Sequence, residues 1–119
     1  MKGYERLEAW KKAHEFALLV YKNTGGFPSH EQFGLTSQLR RAALSVPTNI
    51  VEGQASSSKR EFLNFLNISN RSLVEAEYLL EVCRNLKYLS EDRYSELDKL
   101  RAHAGGLLNG LIGSIRRKL

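Results

Sequence analysis

One cysteine, two prolines and one tryptophan among 119 residues close off several chemistries at the outset. Cys83 alone allows neither an intrachain disulfide nor a Cys-x-x-Cys redox or metal pair. Its apolar helical spacing makes it a small hydrophobe suited to a reducing cytoplasm. Long apolar runs are missing too. The richest window, residues 104–115, is interrupted by Asn109 and falls short of the ~20 residues a membrane span needs. The opening Met-Lys-Gly-Tyr-Glu-Arg has no apolar stretch behind it for a signal peptide. A soluble, cytoplasmic protein with no membrane partner is the expectation. His14, His30 and His103 lie on separate segments without ligand spacing, so no metal site is expected. Glu75 and Glu77 point apart on a helix, and Glu77 and Glu81 share a face but lack the Glu-x-x-His of carboxylate-bridged metal bundles. No glycine-rich phosphate loop or Gly-x-Ser-x-Gly elbow occurs. The expectation is therefore no enzyme, with no catalytic residues, no metal and no cofactor.

What is present is helical periodicity, and no stretch shows strand alternation. A first helix is expected over about Glu5 to Lys22, with Leu7, Trp10, His14, Ala17 and Tyr21 on one face and Ala13, Phe16 and Val20 beside it. Gly25 and Gly26 should stop it, and Ser29 with Gln32 has the spacing to cap a short turn. A second helix, about Leu35 to Gln54, presents Leu39, Ala43, Val46 and Ile50 on one face. Pro47 should bend or break it, since proline lacks the amide donor and crowds the carbonyl of Ala43. Ser58 and Glu61 form a capping-box signal for a third helix running to about Leu86, ~42 Å at 1.5 Å per residue. Its seam steps through Phe62, Leu66, Ser69, Leu73, Ala76, Leu80 and Cys83. Ser90 caps a fourth helix, with Glu91 and Asp92 in its first turn and Arg116, Arg117 and Lys118 at its end, where the helix dipole favours each sign. Short connections between long helices make neighbours antiparallel. The expected fold is all-α, a single domain over residues 1–119 built as an up-down-up-down antiparallel four-helix bundle with a proline-kinked second helix.

Three constellations remain. On the second helix, opposite the apolar face, Arg41, Ser45, Thr48 and Glu52 repeat the same spacing, with Asn49 between them. Arg41, Ser45, Asn49 and Glu52 are read as a structural polar stripe. The fourth helix holds Gly105, Gly106, Gly110 and Gly113, each costing about 1 kcal/mol against alanine in a helix interior. Its apolar arc is also wider than one seam needs, so Gly106, Leu108, Gly110, Ile112 and Ile115 are read as an oligomer interface. The third constellation is basic: Lys11-Lys12, Arg40, Lys59-Arg60 and Arg116-Arg117-Lys118 are candidate nucleic-acid contacts. Net charge is +5 and the excess is spread along the chain, residues 1–56 carrying 7 basic and 5 acidic side chains. Aromatics do not interleave with the basic pairs, which argues against a base-stacking platform.

The chain resembles the bacterial four-helix bundle proteins encoded in intervening sequences of 23S ribosomal RNA genes, a family that includes accessory proteins of diversity-generating retroelements. The resemblance rests on Leu7-Glu8-Ala9-Trp10-Lys11-Lys12-Ala13, Phe27-Pro28, the run from Gly34 to Ala43 and Ser45-Val46-Pro47-Thr48-Asn49-Ile50-Val51-Glu52-Gly53. It continues through Ser72-Leu73, Glu75-Ala76-Glu77 and residues 107–115. Val51 stands where alanine is expected, and residues 54–58 are richer in serine and poorer in basic residues than the family pattern. The resemblance implies a four-helix bundle assembling into a ring-like homo-oligomer, a pentamer, with a basic surface; in the retroelement relatives the ring engages a reverse transcriptase and nucleic acid. The expected function is thus a non-enzymatic oligomer that binds the backbone of structured RNA or DNA. The alternative is a scaffold that recruits a partner protein without touching nucleic acid.

Overall fold

The computed structural model describes residues 2–119. After a 3-10 turn at Gly3–Arg6, four helices follow: α1 (Glu8–Thr24), α2 (Leu35–Gln54), α3 (Lys59–Asn85) and α4 (Glu91–Arg117). Each packs against its neighbours in the chain, α4 closes onto α1, and the diagonal pairs stay apart. Cross-links fix the antiparallel sense. Gln38 on α2 reaches Glu75 on α3 while Val46 meets Ser69, and Arg93 early in α4 donates to Asn23 late in α1. The result is a bundle 45 × 25 × 24 Å, and no helix among the described residues is long and apolar enough to cross a membrane.

The core is built from the expected stripes on α2 and α3. Leu39, Ala43, Val46 and Ile50 are fully buried, as are Leu66, Ser69, Ala76, Leu80 and Cys83. On α1 the stripe is rotated from the expectation. Ala9, Ala13, Phe16, Ala17 and Val20 form the core, whereas Tyr21 stays 41% exposed and His14 is exposed, stacked on Trp10 with ring centroids 4.8 Å apart. Small alanines let α1 approach closely, so the bulky aromatics of the other face move to its flank. Helix α1 also starts later than expected, because Leu7 is extended. Neither Gly25 nor Gly26 takes a left-handed conformation; α1 ends instead on Thr24, whose Oγ1 donates to the Val20 carbonyl at 2.9 Å while its own carbonyl accepts from the Phe27 amide.

Helix α2 runs unbroken through the buried Pro47. The break does not occur, and hydroxyl and amide side chains crowd the backbone there: Thr48 Oγ1 donates to the Leu44 carbonyl at 2.8 Å and Asn49 Nδ2 to the Ser45 carbonyl at 2.8 Å. The short turn expected near Ser29 forms as a 3-10 turn at Ser29–Glu31, but it follows Pro28 and no side chain caps it. Helix α2 is capped by the Glu31 carboxylate, which accepts the Leu35 amide at 3.1 Å. Gly34 permits this, because a Cβ there would lie 2.6 Å from Glu31 Oε1. Glu31 also accepts from the Tyr88 hydroxyl at 2.9 Å, so one carboxylate ties the α1–α2 connection to the α3–α4 connection. The Leu35 amide first and the Tyr88 hydroxyl second hold its carboxyl below the usual 4.5. A lowered folded-state value means that stability from Glu31 is present above the unfolded-state value and lost as pH falls through the folded one. Glu31→Gln is therefore expected to lower the melting temperature at neutral pH and to flatten the loss of stability between neutral pH and pH 3, measured by thermal unfolding across that range. An unchanged acid limb would show that the cap carries no charge-dependent stability.

Serine caps open the last two helices as expected, Ser58 accepting from the Glu61 amide and Ser90 from the Arg93 amide. The box at α3 is half formed, since the Glu61 carboxylate takes the Ser57 hydroxyl instead. Helix α3 ends with Lys87 at φ 64°, while the Tyr88 amide reaches back to the Cys83 carbonyl. This left-handed closure, usually a glycine's, is made by a lysine.

Candidate nucleic-acid interface

The antiparallel order brings the start of α1, the end of α2, the start of α3 and the end of α4 to one end of the bundle. Residues 2–15, 45–71 and 104–119 form that half and hold ten of the eighteen basic side chains but five of the thirteen acidic ones. The opposite half balances eight against eight. The whole excess of +5 therefore sits at one end of a 45 Å rod. Sequence position hides this, because the contributing segments are scattered along the chain.

At that basic end Lys59, Arg60, Arg116, Arg117 and Lys118 are all exposed, and none forms an ion pair among the described residues. Lys59 and Arg60 occupy the first turn of α3, where backbone amides also point outward. Lys11 and Lys12 lie on α1 nearby but are engaged, Lys11 Nζ with Glu8 at 3.0 Å and Lys12 Nζ with Glu15 at 3.2 Å. These are exposed pairs, worth little, and a phosphate can displace either carboxylate.

Arg40 does not belong to this surface. It lies toward the other end, its Nε donating to Thr24 Oγ1 at 2.7 Å, its Nη2 to the Tyr21 carbonyl at 3.3 Å and its guanidinium 4.8 Å from the Tyr21 ring. It locks α2 to the end of α1. Arg41, read as structural, is the exposed one and has no ion-pair partner among the described residues. The two neighbouring arginines have exchanged roles, because adjacent helix positions differ by about 100° and only Arg40 turns toward α1. Arg40→Ala is expected to cost about 1.5–3 kcal/mol, the range for hydrogen bonds to a charged group. Arg41→Ala should stay within about 0.5 kcal/mol of the parent. Urea unfolding of both variants tests the exchange, and equal losses would refute it.

The rest of the polar stripe is half structural. Ser45 Oγ lies 2.8 Å from Ser72 Oγ and accepts from Asn49 Nδ2 at 2.9 Å, pinning α2 to α3. Glu52 is exposed like Arg41. The interface reading of α4 is corrected. Leu108, Ile112 and Ile115 are 1%, 6% and 7% exposed, so they fill this chain's own core and explain the wide apolar arc without a second subunit. Gly106 and Gly110 alone of that set face open space, with nothing within 4 Å of a Cβ at either position. Burial, reinforced by Glu31, pushes the Cys83 thiol up to about 11, which leaves it an unreactive core residue.

Comparison with known proteins agrees with this architecture. A crystal structure of a protein of unknown function from the S23 ribosomal protein family of Bacteroides thetaiotaomicron superposes with a TM-score of 0.78 at 27% identity, covering 87% of this chain and 97% of that one. No curated protein sequence matches. The profile of the 23S rRNA-intervening sequence protein family matches residues 5–110, and with the helices, caps and second-helix motif in place, the chain belongs to that family.

Proposed function

We propose that this protein is a non-enzymatic, homo-oligomeric bundle that binds the phosphate backbone of structured RNA or duplex DNA through its basic end. The concentration of the full +5 excess on one end, with eight exposed basic side chains there that form no ion pair among the described residues, carries this reading. Backbone contact neutralises phosphates and releases counterions, so affinity must fall steeply with salt. Five neutralised phosphates give a log–log slope of about −4.5 on a duplex. A ring of the kind the family resemblance implies would present each subunit's excess again around one axis and strengthen attraction to a polyanion. An accessory role in ribosomal RNA intervening sequences or beside a reverse transcriptase is the biological setting that the family resemblance suggests.

The test is fluorescence anisotropy against structured RNA, single-stranded RNA and duplex DNA across a salt titration, with molecular mass from light scattering on the same sample. Saturable binding with a steep slope by a species larger than one chain supports the proposal. The second reading, a protein-recruiting scaffold, has its own observation: Val74 and Tyr78 stand one turn apart on α3, 58% and 65% exposed. Absence of binding near physiological salt would leave that reading in its place.

A further inference from the structure

Toward the end of the bundle opposite the basic surface, two adjoining hollows of about 310 and 300 Å3 open between α1, the α1–α2 connection and α2. Gln32, Thr36 and Arg40 line both, and the second also has Tyr21, Phe33, Ser37 and Arg41 on its walls. Neither is lined by a carboxylate. Three features of this corner are unexplained by folding. Phe33 is 91% exposed, so its ring contributes almost nothing to the core. Thr36 is only 8% exposed, and its buried Oγ1 has no hydrogen-bond partner among the described residues. Arg41 is exposed and forms no ion pair among the described residues. Beside them, the Arg40 guanidinium lies over the Tyr21 ring, 4.8 Å from its centroid, and is bonded to Thr24.

An exposed aromatic, an arginine held against a second aromatic and a further exposed arginine match the base and phosphate of a nucleotide. We propose that this corner takes a single unpaired nucleotide, its base against Phe33 and the Tyr21–Arg40 stack and its phosphate on Arg41. Ser37, on the wall of the second hollow, is then available to the sugar or phosphate. The linear sequence argued against a stacking platform; the fold creates one by bringing Tyr21 and Phe33, twelve positions apart, beside the arginine pair. This inference rests on the protein being a nucleic-acid binder and adds a second contact, specific for an unstacked base, to the backbone contact at the basic end.

The test compares a labelled eight-nucleotide adenosine RNA strand, an abasic phosphodiester strand of the same length and an RNA duplex by anisotropy, with light scattering in parallel. The base-bearing strand should bind about tenfold more tightly than the abasic one, the scale of one base–aromatic stack. Phe33→Ala should erase that difference while leaving duplex affinity unchanged, and Arg41→Ala should weaken both strands. Equal affinity for the two strands overturns the inference even when duplex binding is strong and steep in salt, a pattern that leaves the basic-end reading intact. Conversely, a base-dependent gain without duplex binding removes that reading and keeps this one. A fall in assembly mass for Phe33→Ala, with the base-dependent difference retained, would assign the ring to a subunit contact and overturn the proposal.

Discussion

Gly53→Ala is expected to destabilise the protein by about 1–3 kcal/mol, the range for overpacking a close contact, although alanine favours a helix over glycine by about 1 kcal/mol. Gly53 is buried near the end of α2 where it crosses α3. A Cβ there would lie 2.8 Å from Phe62 Cδ1 and 2.9 Å from Phe65 Cβ. The Phe62 ring can turn aside, but Phe65 Cβ is fixed to the α3 backbone, so the helices themselves must separate. Gly53→Leu should go further and prevent the basic end from forming, because the short connection at residues 55–58 cannot absorb the displacement. The opposite sign is expected on α4. Gly106→Ala and Gly110→Ala meet nothing within 4 Å and should each stabilise the single chain by about 1 kcal/mol. Urea unfolding of the four variants reads both signs, and a Gly53→Ala protein as stable as the parent would show slack between α2 and α3. Loss of assembly in the stabilised α4 variants would give those two glycines the interface role that Leu108, Ile112 and Ile115 do not have.

The sequence makes some of these features legible and hides others for definite reasons. The bounds of α2 and the serine caps of α3 and α4 are readable because each is local: a face of four apolar residues, or a hydroxyl three residues before an amide it can accept. The end of α3 is not, since Lys87 takes a left-handed turn that nothing in a lysine announces. Nor is the cap of α2, where Glu31 acts across a glycine rather than from the first helical turn. Arg40 and Arg41 are indistinguishable until the azimuth of α2 against α1 is known. The family motif runs through both, so resemblance identifies the fold without assigning either side chain. The same limit applies to Leu108 and Ile112, whose pattern suits a core or an interface equally. Charge is the clearest case: a distribution that looks even along the chain becomes one-sided once four helices alternate direction.

Reversing two charges at the basic end is the sharpest test of what that asymmetry does. Lys59→Glu with Arg60→Glu takes the end from +5 to about +1 and should weaken RNA and duplex binding about ten- to hundredfold at physiological salt, while lowering the magnitude of the salt slope by about 2. Unfolding cannot account for such a loss. Both side chains are exposed in the first turn of α3, where glutamates face the positive end of the helix dipole and are favoured over lysine and arginine. Folding stability should therefore hold or rise while binding falls. The control is Lys22→Glu with Lys99→Glu, which makes the same change in total charge at exposed positions on the balanced half. If net charge alone governs attraction, both doubles lose equally, because long-range steering depends on the sum. If phosphates sit against the end of the bundle, the control keeps most of its affinity and its salt slope. A Lys59/Arg60 double with unchanged affinity would detach this patch from nucleic acid altogether, leaving the asymmetry a feature of assembly.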